Sequence, residues 1–218
     1  MKHFSQTELQ ALAKRYRAQL INSLSGFKSA NLIATKDNDG QTNLAIFSSV
    51  VHLGASPALV GFIMRPDSVE RHTLENIRQT GSYTINHVTD KIHKAAHQTS
   101  ARYPKQVCEF KATGLTPLYE RDIWPPFVEE SPIRYSVSLR DILPIELNNT
   151  MMVIGEITDI FVSESAIQQD GYIDIEGLNT LALSGLDSYH KSERLARLSY
   201  AKPDITPIEI PLAGNEPR

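Results

Sequence analysis

Three apolar runs rich in β-branched and aromatic residues stand close together in the first third of the chain, at residues 30–36, 42–53 and 58–64. Asp37-Asn38-Asp39-Gly40 separates the first two and carries the turn chemistry of a hairpin, because Asx side chains bond their own backbone and glycine accepts positive φ. Pro57 precedes the third run and Arg65-Pro66 ends it, since proline brings no N–H to a ladder. Residues 82–88, 133–139, 141–147 and 151–162 repeat the strand signal, with Asn148-Asn149 as a hairpin turn. Strands at such short spacing, with single helices inserted, predict a mainly β chain closed or nearly closed into a barrel rather than a parallel sheet.

The helical segments are few. Leu9, Leu12, Tyr16 and Leu20 recur at three- and four-residue spacing, and Ser5 with Glu8 forms a capping box, so residues 5–24 are expected as one N-terminal packing helix. A short surface helix follows residue 66, with Asp67 or Ser68 as N-cap, Val69, Leu74 and Ile77 as its apolar stripe and Gly81 as its end. Residues 90–99 read as another short helix capped by Thr89, and Cys108-Glu109 as the start of a strand. Trp124-Pro125-Pro126-Phe127 is an extended crossover, because two prolines suit neither a ladder nor a helix interior. From about Lys202 a proline-rich tail is expected as an extended strap or a partly disordered end. The simplest account is a single domain over 1–218, with a core of about 26–162 and a C-terminal extension at 177–218.

Composition narrows the function. A formal charge of −3 removes the long-range attraction on which nucleic-acid binding depends. Cys108 is the lone cysteine, which excludes an internal disulfide, a zinc ribbon and a CxxC redox motif. No run is long and apolar enough for a signal peptide or a membrane span, so a cytoplasmic setting is expected, and Asn148-Asn149-Thr150 is read as a turn rather than a glycosylation site. None of the 11 glycines forms a G-x-G pair, so the dinucleotide fingerprint and the Walker A loop are both missing. His93 and His97 have zinc-ligand spacing but enclose Lys-Ala-Ala without the glutamate a zincin needs, so no metal is expected. Cys108 has no activating charge beside it, and Ser48-Ser49 lacks the Gly-x-Ser-x-Gly elbow, so neither is a nucleophile.

Two polar clusters remain. Asn43-Leu44-Ala45-Ile46-Phe47-Ser48-Ser49 places hydroxyls in an apolar strand, where adjacent serines point to opposite faces: one is placed to line a site while the other packs or bonds within the sheet, a pattern that a plain strand with tolerated hydroxyls also gives. Arg65, Arg71, His72, Thr73 and Asn76 gather cations, a hydroxyl and free N–H groups at a strand end and helix start, which suits a phosphate as well as a solvated surface.

With Pro57-Ala58-Leu59-Val60-Gly61-Phe62, Arg71-His72-Thr73-Leu74-Glu75-Asn76-Ile77, Tyr83-Thr84-Ile85-Asn86 and Glu109-Phe110 before Gly114-Leu115, these motifs stand in an order that resembles the flavin reductase-like family of FMN-binding split barrels. The resemblance covers roughly 31–156. It implies a split β-barrel of Greek-key type with inserted and terminal helices, a homodimer, and one FMN per subunit, in preference to FAD. The family's flavin-contacting stretch falls on Asn43, Ala45, Ser48 and Ser49, its phosphate side on Arg65, His72 and Thr73, and His97 and Ser100 face the ring system. The expected activity is hydride transfer from NAD(P)H to FMN and onward to an acceptor such as a monooxygenase partner. No residue is expected to act as a catalytic acid or base, because the flavin carries the chemistry. An FMN-binding electron carrier similar to flavoredoxin and a non-redox ligand-binding barrel are the alternatives.

Overall fold

The computed structural model describes residues 1–66 and 71–214. Asp67, Ser68 and Val69, assigned above to a helix start, lie outside the described residues.

The N-terminal capping box forms: the Ser5 hydroxyl accepts the Glu8 N–H at 3.3 Å while the Glu8 carboxylate accepts the Ser5 N–H at 2.6 Å. The helix it starts, α1 (Gln6–Ala11), stops early because Leu12 is extended, and α2 (Lys14–Leu24) begins anew. Two helices thus replace the one expected over 5–24. Neither contributes a buried residue, so no packing holds Leu12 in helical geometry.

Seven antiparallel strands make the main sheet, in the order β3-β2-β6-β9-β10-β5-β4. They are β2 (Asn31–Lys36), β3 (Thr42–Phe47), β4 (Val51–Ala55), β5 (Ala58–Met64), β6 (Ser82–His87), β9 (Ile133–Ile145) and β10 (Thr150–Val162). Short strands complete the count: β1 (Lys28–Ser29), the pair β7 (Pro117–Leu118) and β8 (Phe127–Val128), the hairpin β11 (Leu181–Ser184) and β12 (Ser188–Lys191), and the tail pair β13 (Arg197–Leu198) and β14 (Glu209–Ile210). The expected strap therefore folds back as a two-residue ladder.

β3 and β4 follow one another in the chain yet lie at opposite edges of the sheet, joined by residues 48–50 alone. So short a link requires the sheet to curl until its edges approach. No ladder joins those edges among the described residues, so hydrogen bonding does not close the barrel. The run 42–53 is consequently two strands rather than one. The converse holds at 133–145, one strand of 13 residues where two were expected, because a bulge at Arg140 shifts the side-chain phase there, and a second irregularity on β10 at Thr158 bends the long β9–β10 hairpin further along.

β2 is buried along both faces, and its alternation divides the core. Leu32 and Ala34 pack with Leu44, Val88, Phe110 and Val128 on one side, whereas Ile33 packs with Phe62, Tyr83, Ile85, Val137 and Val153 on the other. Helix α3 (His72–Thr80) covers the second cluster with Leu74 and Ile77, and ends at Gly81 with φ 67°. On the first side lie α4 (His93–Gln98) and α5 (Glu109–Thr113). α4 starts later than residue 90, and Thr89, expected as its cap, bridges to Thr180 instead. Cys108 caps α5 rather than opening a strand, its thiol 3.1 Å from the Thr42 hydroxyl. Among the described residues no helix is long and apolar enough to cross a membrane.

Candidate functional site

Where β3 leaves the sheet, a cavity of about 730 Å3 opens against the ends of β5, α3 and α4, a volume in the range that holds drug-sized ligands. All nine residues singled out from the sequence line it. Asn43 and Ala45 come from β3, Ser48 and Ser49 from the link to β4, Arg65 from the end of β5, His72 and Thr73 from the first turn of α3, and His97 and Ser100 from the end of α4. Residues as far apart in the chain as Asn43 and Ser100 thus line one cavity, and the curl of the sheet is what brings β3 to the end of β5.

Each side chain is held for a definable reason. Asn43 is buried, and its amide donates to the Thr73 hydroxyl at 2.9 Å, tying β3 to the start of α3. The Ser49 hydroxyl accepts the Ile63 N–H at 3.1 Å and donates to the Ile63 carbonyl at 3.2 Å, whereas Ser48 makes no such bond among the described residues. Both serines line the cavity and both stand in the link rather than on a strand, so what separates them is the bonding of Ser49 and not the alternation expected from the sequence. Ile46, Phe47, Ile63 and Met64 supply the apolar part of the lining.

Three guanidinium groups, Arg65, Arg71 and Arg102, meet at the cavity. Partial burial lowers the proton affinity of Arg71, and the nearby charges of Arg65 and Arg102 lower it further. Arg71 Nε donates to the Pro66 carbonyl at 3.1 Å, and no ion pair among the described residues involves any of the three. Three like charges that line one cavity, with no ion pair to a carboxylate among the described residues, favour an anion over a cation there. Glu109, also in the lining, lies deeper: it accepts the Leu44 N–H at 3.1 Å, and burial raises its pKa above the ordinary carboxylate value, opposed in part by that bond and by His72.

Arg71, part of the cation cluster read from the sequence, joins the lining together with Arg102, Glu109 and the hairpin residues Leu183, Leu186 and Tyr189, which the sequence alone does not assign to the site. Arg102 stands two positions beyond Ser100 and was open to discovery by charge alone. Leu183 to Tyr189 carry no periodic or charged signal that sets them in a site. The zinc-spaced pair is engaged elsewhere: His93 Nδ1 lies 2.7 Å from the Asp90 carbonyl, and His97 Nδ1 shares a 3.0 Å hydrogen bond with the Tyr189 hydroxyl. Among the described residues no cluster of three or more His, Cys, Asp or Glu side chains could hold a metal.

The same fold occurs in known proteins. A crystal structure from Shewanella frigidimarina NCIMB 400, of a protein assigned as a flavin reductase with a split barrel domain, is 56% identical, superposes with a TM-score of 0.89, and covers 92% of this chain and 100% of its own. Nitrilotriacetate monooxygenase component B of Bacillus cereus shares the fold with a TM-score of 0.79 at 21% identity, over 91% of this chain and 98% of that one. Flavoredoxin of Desulfovibrio vulgaris shares it with a TM-score of 0.68 at 21% identity, over 82% and 92%. The flavin reductase like domain matches residues 24–177, and the chain belongs to that family.

Proposed function

We propose that the cavity binds FMN and that the protein is a flavin reductase-like oxidoreductase, taking hydride from NAD(P)H and passing electrons to an acceptor. The observation that carries this reading is the meeting of Arg65, Arg71 and Arg102 beside the hydroxyl-bearing end of β3, in a cavity with an apolar bed. The donor set fits the group: guanidinium groups pair bidentately with a phosphate, and a flat apolar surface edged by hydroxyl and amide groups suits a heteroaromatic ring. FMN, when bound, supplies the two-electron chemistry.

The protein's part is to bind and orient. Arg65 and Arg71, with the His72 and Thr73 side chains, hold the phosphate end, and Arg102 adds charge from the loop after α4. Asn43, Ala45 and Ser48 present the edge of β3 to the ring, while the Asn43–Thr73 bond keeps the strand and α3 at a fixed separation. Ser49 acts one step back, anchoring the link to β5. His97 and Ser100 bound the ring side. The reading includes a cytoplasmic homodimer: Leu24, Phe27 and Leu147 are exposed apolar side chains that a second copy would cover.

The test is anaerobic spectroscopy of the full-length protein. Quenching of FMN fluorescence followed by bleaching of the visible flavin band on addition of NADH or NADPH is the expected result. FMN bound but bleached by neither nucleotide overturns the reductase and leaves an electron carrier fed by a protein donor, whereas no FMN binding overturns both.

A further inference from the structure

We propose that the β11–β12 hairpin is the wall of the cavity that selects the second substrate, with Tyr189, positioned by His97, contacting the nicotinamide ring of the reducing nucleotide. The inference rests on the FMN-binding reductase reading above and deepens it. Its starting point is a boundary. The family domain ends at residue 177, yet Leu183, Leu186 and Tyr189, all beyond it, line the same cavity as the nine residues predicted within it.

The hairpin is fixed in place from both ends of the chain. β11 pairs with β1, its Leu181 N–H donates to the Val88 carbonyl at 2.9 Å, and the Leu181 carbonyl accepts the Ala30 N–H at 3.2 Å, so β11 is bonded to the connection that leaves β6. The turn rests on α2. Gln19 donates to the Asp187 carboxylate at 2.9 Å, and Lys28 Nζ donates at 3.2 Å to both the Gly185 and the Asn22 carbonyls. Gly185 has φ 60°, and a Cβ there would come within 3.2 Å of the Ser23 hydroxyl, so the turn needs glycine on conformational and steric grounds. These contacts give α2 a part although it buries no side chain: it buttresses the wall.

Tyr189 is the part of that wall with recognition chemistry. It is half-buried, its hydroxyl bonds to His97 Nδ1 at 3.0 Å, and its ring meets His97 edge-on at 5.8 Å and His93 at 5.7 Å. Burial pushes its phenol up to about 12, so it is a neutral O–H at physiological pH. An aromatic ring paired across the hairpin with Leu183, in a lining that also includes Leu186, and with one hydroxyl–imidazole pair at its edge, complements a planar ring that bears a single polar substituent. A nicotinamide ring with its carboxamide has that form. The cations Arg65, Arg71 and Arg102 come from the end of β5, the N-cap of α3 and the loop after α4, so none of them belongs to this hairpin.

The experiment compares the full-length protein with Tyr189→Phe, Tyr189→Ala and Leu186→Ala, reading the FMN dissociation constant by fluorescence and KM and kcat for NADH and NADPH. For Tyr189→Ala the expected result is a nicotinamide KM raised about tenfold, kcat within about threefold and FMN affinity within about twofold, with Tyr189→Phe and Leu186→Ala each raising KM about threefold. A weakened FMN affinity with unchanged nicotinamide KM overturns the proposal, because Tyr189 would then belong to the flavin's bed. If Tyr189→Ala melts below the assay temperature, the other two variants decide, and an unchanged KM in both overturns it. Failure of the wild-type protein to accept electrons from either nucleotide defeats the underlying reductase reading; a wild-type reductase whose variants keep their KM defeats this inference alone.

Discussion

The Ser49 hydroxyl does for Ile63 what a neighbouring strand would do, accepting its N–H at 3.1 Å and donating to its carbonyl at 3.2 Å. Through this pair the link between the two edge strands is stitched to β5 at the point where the ladder between the edges is missing. Ser48, one residue earlier, makes no such bond among the described residues and lines the cavity.

The two serines should therefore separate stability from binding. Ser49→Ala leaves a partly buried N–H and carbonyl without their partner and costs about 1–3 kcal/mol, read as a lower urea midpoint. Ser48→Ala should leave the midpoint within about 0.5 kcal/mol and weaken FMN about fivefold, the value of one lost hydrogen bond. Fluorescence titration beside the urea curves checks both, and the reverse pattern would reassign the pair.

Arg71 offers a test of where the phosphate sits. Arg71→Ala should weaken FMN by about 10–100-fold, the loss expected for a charge-assisted pair, while riboflavin, which lacks the phosphate, keeps its affinity. Arg71→Lys retains the charge without the fork and should fall between. Equal losses for FMN and riboflavin would move the phosphate away from α3.

Much of this site was readable because its parts are local. Asn43 to Ser49 run consecutively along β3 and its link to β4, and Arg71 to Thr73 stand together at the start of α3, so each cluster lies within a short window of sequence, where the residues alone suit a plain strand or a solvated helix surface as well as a site. The wall at Leu183–Tyr189 is set by pairing between β11 and β1, more than 150 residues apart, and nothing in a single window of sequence records such a pairing. The fold divides along the same line. The hairpin turn at Asp37 was legible because its carboxylate accepts the Asp39 and Gln41 N–H groups, a local bond. The bulge at Arg140 was not, since it interrupts the alternation and makes one strand look like two. The five-residue helix at Glu109 is too short to nucleate alone and exists because Phe110 is buried against β2 and β3.

His87 sets an acid limit on stability. It packs edge-on to Tyr135 at 6.4 Å, and burial lowers its pKa from the ordinary 6.5 to about 4. In the window between those values the unfolded chain binds the proton that the folded one refuses. Stability from this group is thus complete above pH 6.5 and is lost as pH falls toward 4, at up to about 1.4 kcal/mol per pH unit. His87→Gln should flatten that part of the curve of unfolding free energy against pH. An unchanged slope would assign the acid sensitivity to another group.

Gly155 lets β10 approach the second core cluster closely. It sits beside the register shift in the β9–β10 ladder, and a Cβ there would collide with Val137 Cγ1 and Tyr83 Oη and come to 3.0 Å from the Ser138 carbonyl. Tyr83 and Val137 are themselves buried in the second core cluster, so neither has free space to turn into. Gly155→Ala should therefore cost about 3 kcal/mol by overpacking, seen as a fall of roughly 6–12 °C in Tm. Tyr83→Phe removes the colliding oxygen, whose buried hydroxyl has no hydrogen-bond partner among the described residues, and should be nearly neutral alone. In the double variant part of the loss should return, by about 1 kcal/mol or more, because the two sites share one contact. Strict additivity in the thermal melts would place the collision on Val137 or the Ser138 carbonyl instead, and with it the reason this strand needs glycine.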